Sequence, residues 1–370
     1  MKPSILWMSD SPTSYTGYGI VTKNIIERLS KLDYNISAIG WQHSDKKTFG
    51  NIQIYPGGKG LYGKDVLQTY LDSLKPDLLI TLGDLFFFNY FKDINLNNTK
   101  WIPYYPIDGD SMPEQFKPLL ALAYKRITMS NYAANLTKEI GMGSETIYHG
   151  VDTNVFKPLN KQKIKEKYSP NDNFIIGCVA RNQPRKMLPR LLKIFKAFSQ
   201  DKKDVILYLH TTPYYPKGHN LPALISKLGL QGKVKFSKKD SLFTGFTFNK
   251  MNEIYNLFDV HASTTSGEGF GLFVLESMAC GVPNIATDCT SLTELIKGRG
   301  ELVKVQTTIT DQANTERALV DIKDFVDKLQ YLYDNEDVRK DYSRKSIEFA
   351  RQNTWDKLIN KWDDLLRNET

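Results

Sequence analysis

Residues 266–283 read SGEGFGLFVLESMACGVP, in which glycines and Glu268 open an apolar run that carries a second acid, Glu276, eight positions on. A strand ending near His261 precedes this stretch, so Gly267, Gly269 and Gly271 fall in a turn before a helix starting about Leu272. Glycine lets backbone N–H groups approach an anion closely, and a helix N-terminus adds partial positive charge. A phosphate-bearing ligand suits such a turn. Glu276 then lies about one turn into the helix and Glu268 in the loop before it, where carboxylates serve as acceptors for sugar hydroxyls. A tight turn before a core helix with solvent-facing acids fits the same letters, and the local pattern leaves both readings open. Gly281 has the position of the residue that ends the helix, and Pro283 prevents its continuation.

Such residues need elements to hold them. The N-terminal half alternates β-rich and helical runs, with strands expected at Ser4–Met8, Ile36–Trp41, Asn51–Tyr55, Asp77–Leu82, Trp101–Tyr105, Arg126–Ser130 and Thr146–Tyr148. A loop at 9–19 leads to a helix from about Ile20. The alternation pauses at 157–173, KPLNKQKIKEKYSPNDN, a polar lysine-rich stretch read as a linker, and resumes at Phe174–Ala180. Strands alternating with helices predict an α/β fold with parallel doubly wound sheets. Two Rossmann-like domains follow, 1–156 and 174–354, with the carboxyl ends of both sheets expected to face a cleft. The run 355–370 contains an amphipathic helix, Trp355–Leu366.

Composition narrows the class. A chain of 370 residues exceeds one ordinary core, and 41% hydrophobic with 24% charged residues is the balance of a folded globular protein. No apolar run approaches the ~18 residues that span a bilayer. The opening MKPSILWMSDSP holds only Ile5–Met8 before Asp10 and Pro12, short of the ~7–15 apolar residues of a secretory signal. No transmembrane segment is expected, and a cytoplasmic location is. Cys178, Cys280 and Cys289 lack metal spacing and are too few for a disulfide framework, which fits a reducing compartment. The net charge of +8 favours polyanionic partners such as nucleotides, DNA or an anionic membrane surface contacted peripherally, although lysines such as those of KQKIKEK at 161–167 also read as solvated faces.

Four segments in order carry a resemblance: Asp10-Ser-Pro-Thr-Ser-Tyr-Thr-Gly-Tyr-Gly19, Ile147-Tyr-His-Gly-Val-Asp-Thr-Asn-Val-Phe-Lys-Pro158, Gly177-Cys-Val-Ala-Arg-Asn-Gln-Pro-Arg-Lys186, and EGFGLFVLESMACGVP with its two acids. The sequence is similar to the family-4 retaining glycosyltransferases of GT-B fold, the glycosyl transferases group 1, over almost its whole length. That resemblance implies a metal-independent enzyme without a cofactor, moving a sugar from a nucleotide-diphosphate donor (a UDP- or GDP-sugar) to a hydroxyl acceptor with anomeric retention. The residues 174–354 would hold the donor, and the last helix would cross back onto the first domain. Glu276 would accept hydrogen bonds from the ribose and Glu268 would contact the transferred hexose. The amides of Phe270, Gly271 and Leu272, with Arg181 and Lys186, would stabilise the departing diphosphate.

The residues themselves agree. Arg181 and Lys186 follow the first strand of the second domain, where a βα loop aims both cations at the cleft, and one well-placed charge donor is worth about 3–4 kcal/mol to a developing anion. Surface-exposed cations are the alternative, and Met187 stands where the family usually carries glycine. Gly17 and Gly19 lie between the first strand and first helix, so their backbone can close over the diphosphate from the other wall, or simply make the turn. Asp108 ends another strand where many family members place a histidine, and it is expected to orient or partly deprotonate an acceptor hydroxyl.

Two patterns mislead. Gly58–Lys64 satisfies G-x4-G-K, yet Asp65 occupies the place of the Ser or Thr that a P-loop needs. Asp108-Gly-Asp110 spells the Asp-x-Asp of metal-dependent transferases of a different fold, and the five histidines lack metal spacing. The aromatic run Asp84–Phe91 reads as core or, where exposed, as a surface for an acceptor sugar, a base or a membrane. The acceptor stays open among glycan, lipid-linked glycan and modified DNA base. A catalytically silent nucleotide-sugar-binding protein on the same scaffold is the alternative function.

Overall fold

The computed structural model describes residues 2–168, 173–237, 246–312, 314–367 and 369. They fall into two units, Met1–Gly150 with Trp355–Thr370, and Val151–Thr354.

In the first unit, β1 (Ile5–Ser9) is buried at every position, as a strand covered on both faces must be. It sits near the middle of an eight-stranded sheet ordered β3-β4-β2-β1-β5-β6-β7-β8. The other strands are β2 (Ile36–Gly40), β3 (Lys47–Phe49), β4 (Ile52–Pro56), β5 (Leu78–Leu82), β6 (Lys100–Tyr105), β7 (Ile127–Thr128) and β8 (Glu145–Thr146). All neighbours are parallel except the edge pair β3 and β4. The first helix begins at Gly17 and not near Ile20, because the Thr16 hydroxyl caps it by accepting from the Gly19 amide at 3.0 Å. The helix Trp355–Leu366 belongs to this unit: Trp362 is buried with its ring edge-on to Trp7 at 5.9 Å and Tyr104 at 5.1 Å.

The second unit has a six-stranded, all-parallel sheet: β9 (Phe174–Val179), β10 (Val205–His210), β11 (Val234–Phe236), β12 (Val260–Ser263), β13 (Asn284–Thr287) and β14 (Gly300–Val303). Its order, β11-β10-β9-β12-β13-β14, is that of a doubly wound dinucleotide-binding sheet. The strand order reverses between β9 and β12, and in doubly wound sheets the ligand site lies in the crevice at the carboxyl ends of the strands at such a point. An antiparallel hairpin, β15 (Val305–Thr310) with β16 (Glu316–Val320), follows β14 and has no counterpart in the expected plan. It is tied to the crevice by the Ala318 amide, which donates to the Ser266 carbonyl at 3.1 Å.

The expected linker at 157–173 is corrected. The chain divides at Gly150 and Val151, and Lys161–Tyr168 forms a helix within the second unit, with residues 169–172 outside the described set. The cause is polar anchoring. Backbone amides of Lys157 and Leu159 donate to Asn252 and Asn256, Lys161 bonds the Phe258 carbonyl at 2.7 Å, and Lys161 and Lys165 both pair with Asp259.

Candidate functional site

The crevice of the second sheet is built by two loops zipped together through their backbones. After β9, Pro184–Lys186 makes one 3-10 turn, and after β12 residues 264–270 form an irregular loop with bends at Ser266, Gly269 and Phe270. The Arg185 carbonyl accepts from the Ser266 amide at 2.8 Å and the Ser266 hydroxyl at 3.0 Å, while the Thr264 hydroxyl donates to the Met187 carbonyl at 3.0 Å.

This seam delivers Lys186 and Glu268 to each other. The Lys186 ammonium pairs with Glu268 Oε1, and the Arg185 guanidinium reaches Oε2 at 3.0 Å and the Gly267 carbonyl at 2.5 Å. Burial pushes the Glu268 carboxyl up, but the Arg185 and Lys186 charges more than offset it and hold it at about 2. Burial draws the Lys186 ammonium below its ordinary value against the pull of Glu268. Lys186 also lies over the Phe273 ring at 5.0 Å. The backbone of Glu268 is fixed as well: its amide donates to the Thr290 hydroxyl at 2.9 Å, and its carbonyl accepts from Ser291 at 2.8 Å.

Met187 follows Lys186 with φ 50° and ψ 34°, the left-handed conformation that glycine adopts without penalty. Met187 thus takes up the backbone conformation that a glycine at this position would adopt without strain. Gly271, at φ 104°, precedes the helix Leu272–Ala279, and an added Cβ would stand 3.0 Å from Leu292. The helix start thus needs glycine, and its first amides have no partner within the helix. Phe270 is buried with its carbonyl accepting from Ser291 at 2.8 Å, and Leu272 is half-buried. Glu276, one turn further, accepts from the buried Tyr255 hydroxyl at 2.7 Å. Burial raises its carboxyl to about 7, with the Tyr255 bond pulling the other way.

Arg181 does not join this cluster. It is exposed, two residues past β9, and its side chain has no partner among the described residues. The cation that contacts Glu268 beside Lys186 is Arg185, which the spacing argument passed over; its place in Pro-Arg-Lys, inside one turn, was the available signal. Asn182 was missed too. It is fully buried and clamps the loop after β10, donating to the carbonyls of Thr212 at 3.1 Å and His219 at 2.7 Å and accepting from the His219 amide at 2.9 Å.

In the first unit, Gly17 is the exposed first residue of its helix at the carboxyl end of β1. Gly19 is packed so that a Cβ would lie 2.2 Å from the Ser14 hydroxyl and 2.8 Å from the Ser11 carbonyl. Asp10 accepts from Thr16 and Gln42, which closes this loop on itself. Asp108 is half-buried, three residues past β6, and the neighbouring Gly109 carbonyl accepts from Tyr132 at 2.8 Å. The Gly58–Lys64 loop wraps its own acid: the Lys59 amide donates to Asp65 at 2.8 Å, and backbone bonds from Lys59 and Gly60 help lower the Asp65 carboxyl. Its amides are already spent on a carboxylate, unlike those of a P-loop.

The model of the family described as "Glycosyl transferases group 1" matches residues 160–349, half of the chain and nearly all of the second unit. The chain belongs to that family. Among its relatives, the lipopolysaccharide core biosynthesis mannosyltransferase LpsB of Rhizobium meliloti is 29% identical over 181 residues, 47% of this chain and 48% of that protein. The capsular polysaccharide biosynthesis glycosyltransferase CapM of Staphylococcus aureus is 25% identical, covering 67% of this chain and 60% of its own length. The chain thus spans about half to three-fifths of these relatives. Solved structures extend the likeness to the whole fold. Sucrose-phosphate synthase from Thermosynechococcus elongatus superimposes with a TM-score of 0.79 at 16% identity, covering 99% of this chain and 98% of that one. Anabaena Alr3699/HepE, solved in complex with UDP and glucose, gives 0.72 at 16% identity with 98% and 99% coverage. The group 1 chain has the GT-B fold. Among the described residues, no helix is long and apolar enough to cross a membrane.

Proposed function

We infer that this group 1 chain is a retaining glycosyltransferase that moves a sugar from a UDP- or GDP-sugar to a hydroxyl acceptor. The observation that carries the reading is the buried Lys186–Glu268 pair, seated with Arg185 beside the Gly271 turn at the point where the strand order reverses. Ligands of doubly wound sheets bind in that crevice. Family membership and the UDP-bound HepE relative in fold support a nucleotide-sugar ligand.

In this reading the diphosphate lies against the helix start at Gly271, with Lys186 and Arg181 balancing its charge. Phe270, Gly271 and Leu272 offer amides, Glu276 accepts from the ribose hydroxyls, and Glu268 accepts from hydroxyls of the sugar. The bond between the anomeric carbon and the diphosphate oxygen breaks through an oxocarbenium-like state. The acceptor oxygen bonds to the same face of that carbon, and its proton passes to the departing phosphate oxygen. Asp108, three residues past β6 in the first unit, orients the acceptor. Lys186 enters this state by exchanging one anionic partner, Glu268, for another, so its charge is never left bare.

The free thiols of Cys178, Cys280 and Cys289 fit a reducing compartment, and we assign the activity to the cytoplasm. Incubation with a panel of UDP-, GDP- and ADP-sugars tests the reading. Slow donor hydrolysis or transfer with a retained anomeric centre, read by NMR, supports it. Tight nucleotide binding with neither reaction assigns the chain to silent binding instead.

A further inference from the structure

Past β13, three consecutive side chains reach back to the loop that carries Glu268. The Cys289 thiol donates to the Thr265 carbonyl at 3.8 Å, the Thr290 hydroxyl accepts from the Glu268 amide at 2.9 Å, and the Ser291 hydroxyl is shared between the carbonyls of Glu268 and Phe270, both at 2.8 Å. Leu292 continues the contact, 3.0 Å from where a Cβ on Gly271 would stand. Thr290 is 8% exposed, and Ser291 is fully buried. A buried backbone amide needs a protein partner, and for Glu268 the Thr290 oxygen is that partner.

Sequence neighbours do not ordinarily converge on one segment. Along a regular helix successive side chains point about 100° apart, so residues i and i+1 face different surroundings. The helix Thr290–Ile296 escapes this at its first residue, because Thr290 has φ 50°. In that left-handed region Cβ crowds the following carbonyl, and a second heavy atom on Cβ tightens the fit further. Among the described non-glycine residues with positive φ, Thr290 is the one with a β-branched side chain. Such a conformation persists only where its surroundings over-determine it, and it is found where a site needs a group held in place. Glycine here would relax the backbone but leave the Glu268 amide bare. Threonine does the reverse.

We propose that Thr290 is a positioning residue for Glu268: its backbone is strained so that its hydroxyl can pin the amide of the residue that meets the transferred sugar. With the amide held by Thr290 and the carbonyl by Ser291, the direction in which the Glu268 side chain leaves the backbone is set, while Lys186 and Arg185 hold its far end. Loss of the Thr290 bond frees the near end only. The carboxylate then keeps its cations but not its place, and a displacement of about 1 Å is enough to slow a reaction strongly. The contact with the sugar rests on the function proposed above, whereas the clamp on the Glu268 backbone does not.

Full-length wild type, Thr290→Ser, Thr290→Val and Thr290→Gly separate the hydroxyl from the strain. Serine keeps the hydroxyl, valine keeps the branched shape without it, and glycine removes hydroxyl and strain together. With the UDP- or GDP-sugar that the wild type turns over, activity is expected to follow the hydroxyl: serine retains at least about half of kcat, whereas valine and glycine both lose roughly tenfold, with donor KM changed less than about threefold. Stability is expected to follow the backbone, so that Thr290→Gly melts at least about 2 °C above Thr290→Val although the two share one deficit in kcat. Hydrogen exchange at the Glu268 amide is expected to be at least tenfold faster in valine and glycine than in serine or the wild type. Full kcat in Thr290→Val, a kcat that simply tracks melting temperature across the four proteins, or valine melting level with or above glycine would overturn the proposal. A wild type that turns over no donor counts against the transferase reading alone; the exchange rates then decide, and equal rates at Glu268 in the wild type and Thr290→Val would overturn the clamp.

Discussion

Lys186 and Glu268 form an ion pair across the loops after β9 and β12 of the second sheet, their side chains only 11% and 8% exposed. A pair so enclosed persists because each charge answers the other, and removing one is far costlier than replacing both.

Glu268→Gln keeps the shape and deletes the charge. Loss of about 3 kcal/mol is expected, a fall of roughly 6–12 °C in melting temperature for a unit of this size. Pyrophosphate then restores more stability to the variant than to the wild type, since it supplies the missing anion. Calorimetry with and without pyrophosphate checks both; equal shifts in the two proteins would contradict the assignment. In the wild type, Glu268 is held at about 2 against an ordinary 4.5, so its contribution is full above about 4.5 and is lost as pH falls toward about 2.

Arg185 touches Glu268 and the Gly267 carbonyl and acts as a positioning residue. Arg185→Gln is expected to lower kcat by roughly 10- to 100-fold with donor KM changed less than about threefold, because a misplaced carboxylate is felt mainly in the transition state. Arg185→Lys recovers part of kcat. Steady-state kinetics on the three proteins decide; a change confined to KM would assign Arg185 to ground-state binding.

Glu276 supplies a pH dependence. Burial raises its carboxyl from 4.5 to about 7, and in the role proposed for it the ionised form is the stronger acceptor for ribose hydroxyls. Nucleotide affinity therefore rises between about pH 6 and 8, and Glu276→Gln flattens the profile at the weaker, low-pH level. For stability the sign is reversed: the folded state retains a proton the unfolded chain has lost, so this group's contribution declines as pH climbs from about 4.5 through 7. Titration calorimetry with UDP across this range is the check, and a flat wild-type profile would contradict it.

Gly271→Ala forces a Cβ against Leu292 at a left-handed backbone position. A cost of about 1–3 kcal/mol is expected, together with loss of nucleotide affinity from a displaced helix start. A variant that unfolds at the wild-type temperature and binds UDP normally would refute both statements.

Much of this was legible beforehand. Alternating strands and helices, the glycine turn at 267–271 and the helix start at Leu272 follow from local rules that tertiary context did not override. The first helix begins at Gly17 because of one hydroxyl, Thr16, whose capping bond outweighs two poor helix formers. The 157–173 segment read as a linker because Ile164 alone is buried in the helix Lys161–Tyr168, leaving no apolar period to find. Its anchors are the distant Asp259 and Asn256. Arg185 was hidden for a related reason: whether a cation in a βα loop faces in or out depends on the turn Pro184–Lys186 and on Glu268, 83 residues away in sequence.

The central claim is that Lys186 meets the diphosphate of a nucleotide sugar. Calorimetric titration of UDP and GDP into the wild type and Lys186→Met, a change close in volume, measures it directly. The account predicts binding of one nucleotide by the wild type and a loss of at least about 100-fold in the variant, the worth of one well-placed cation. Equal affinity in both proteins, with the variant folded, would contradict it.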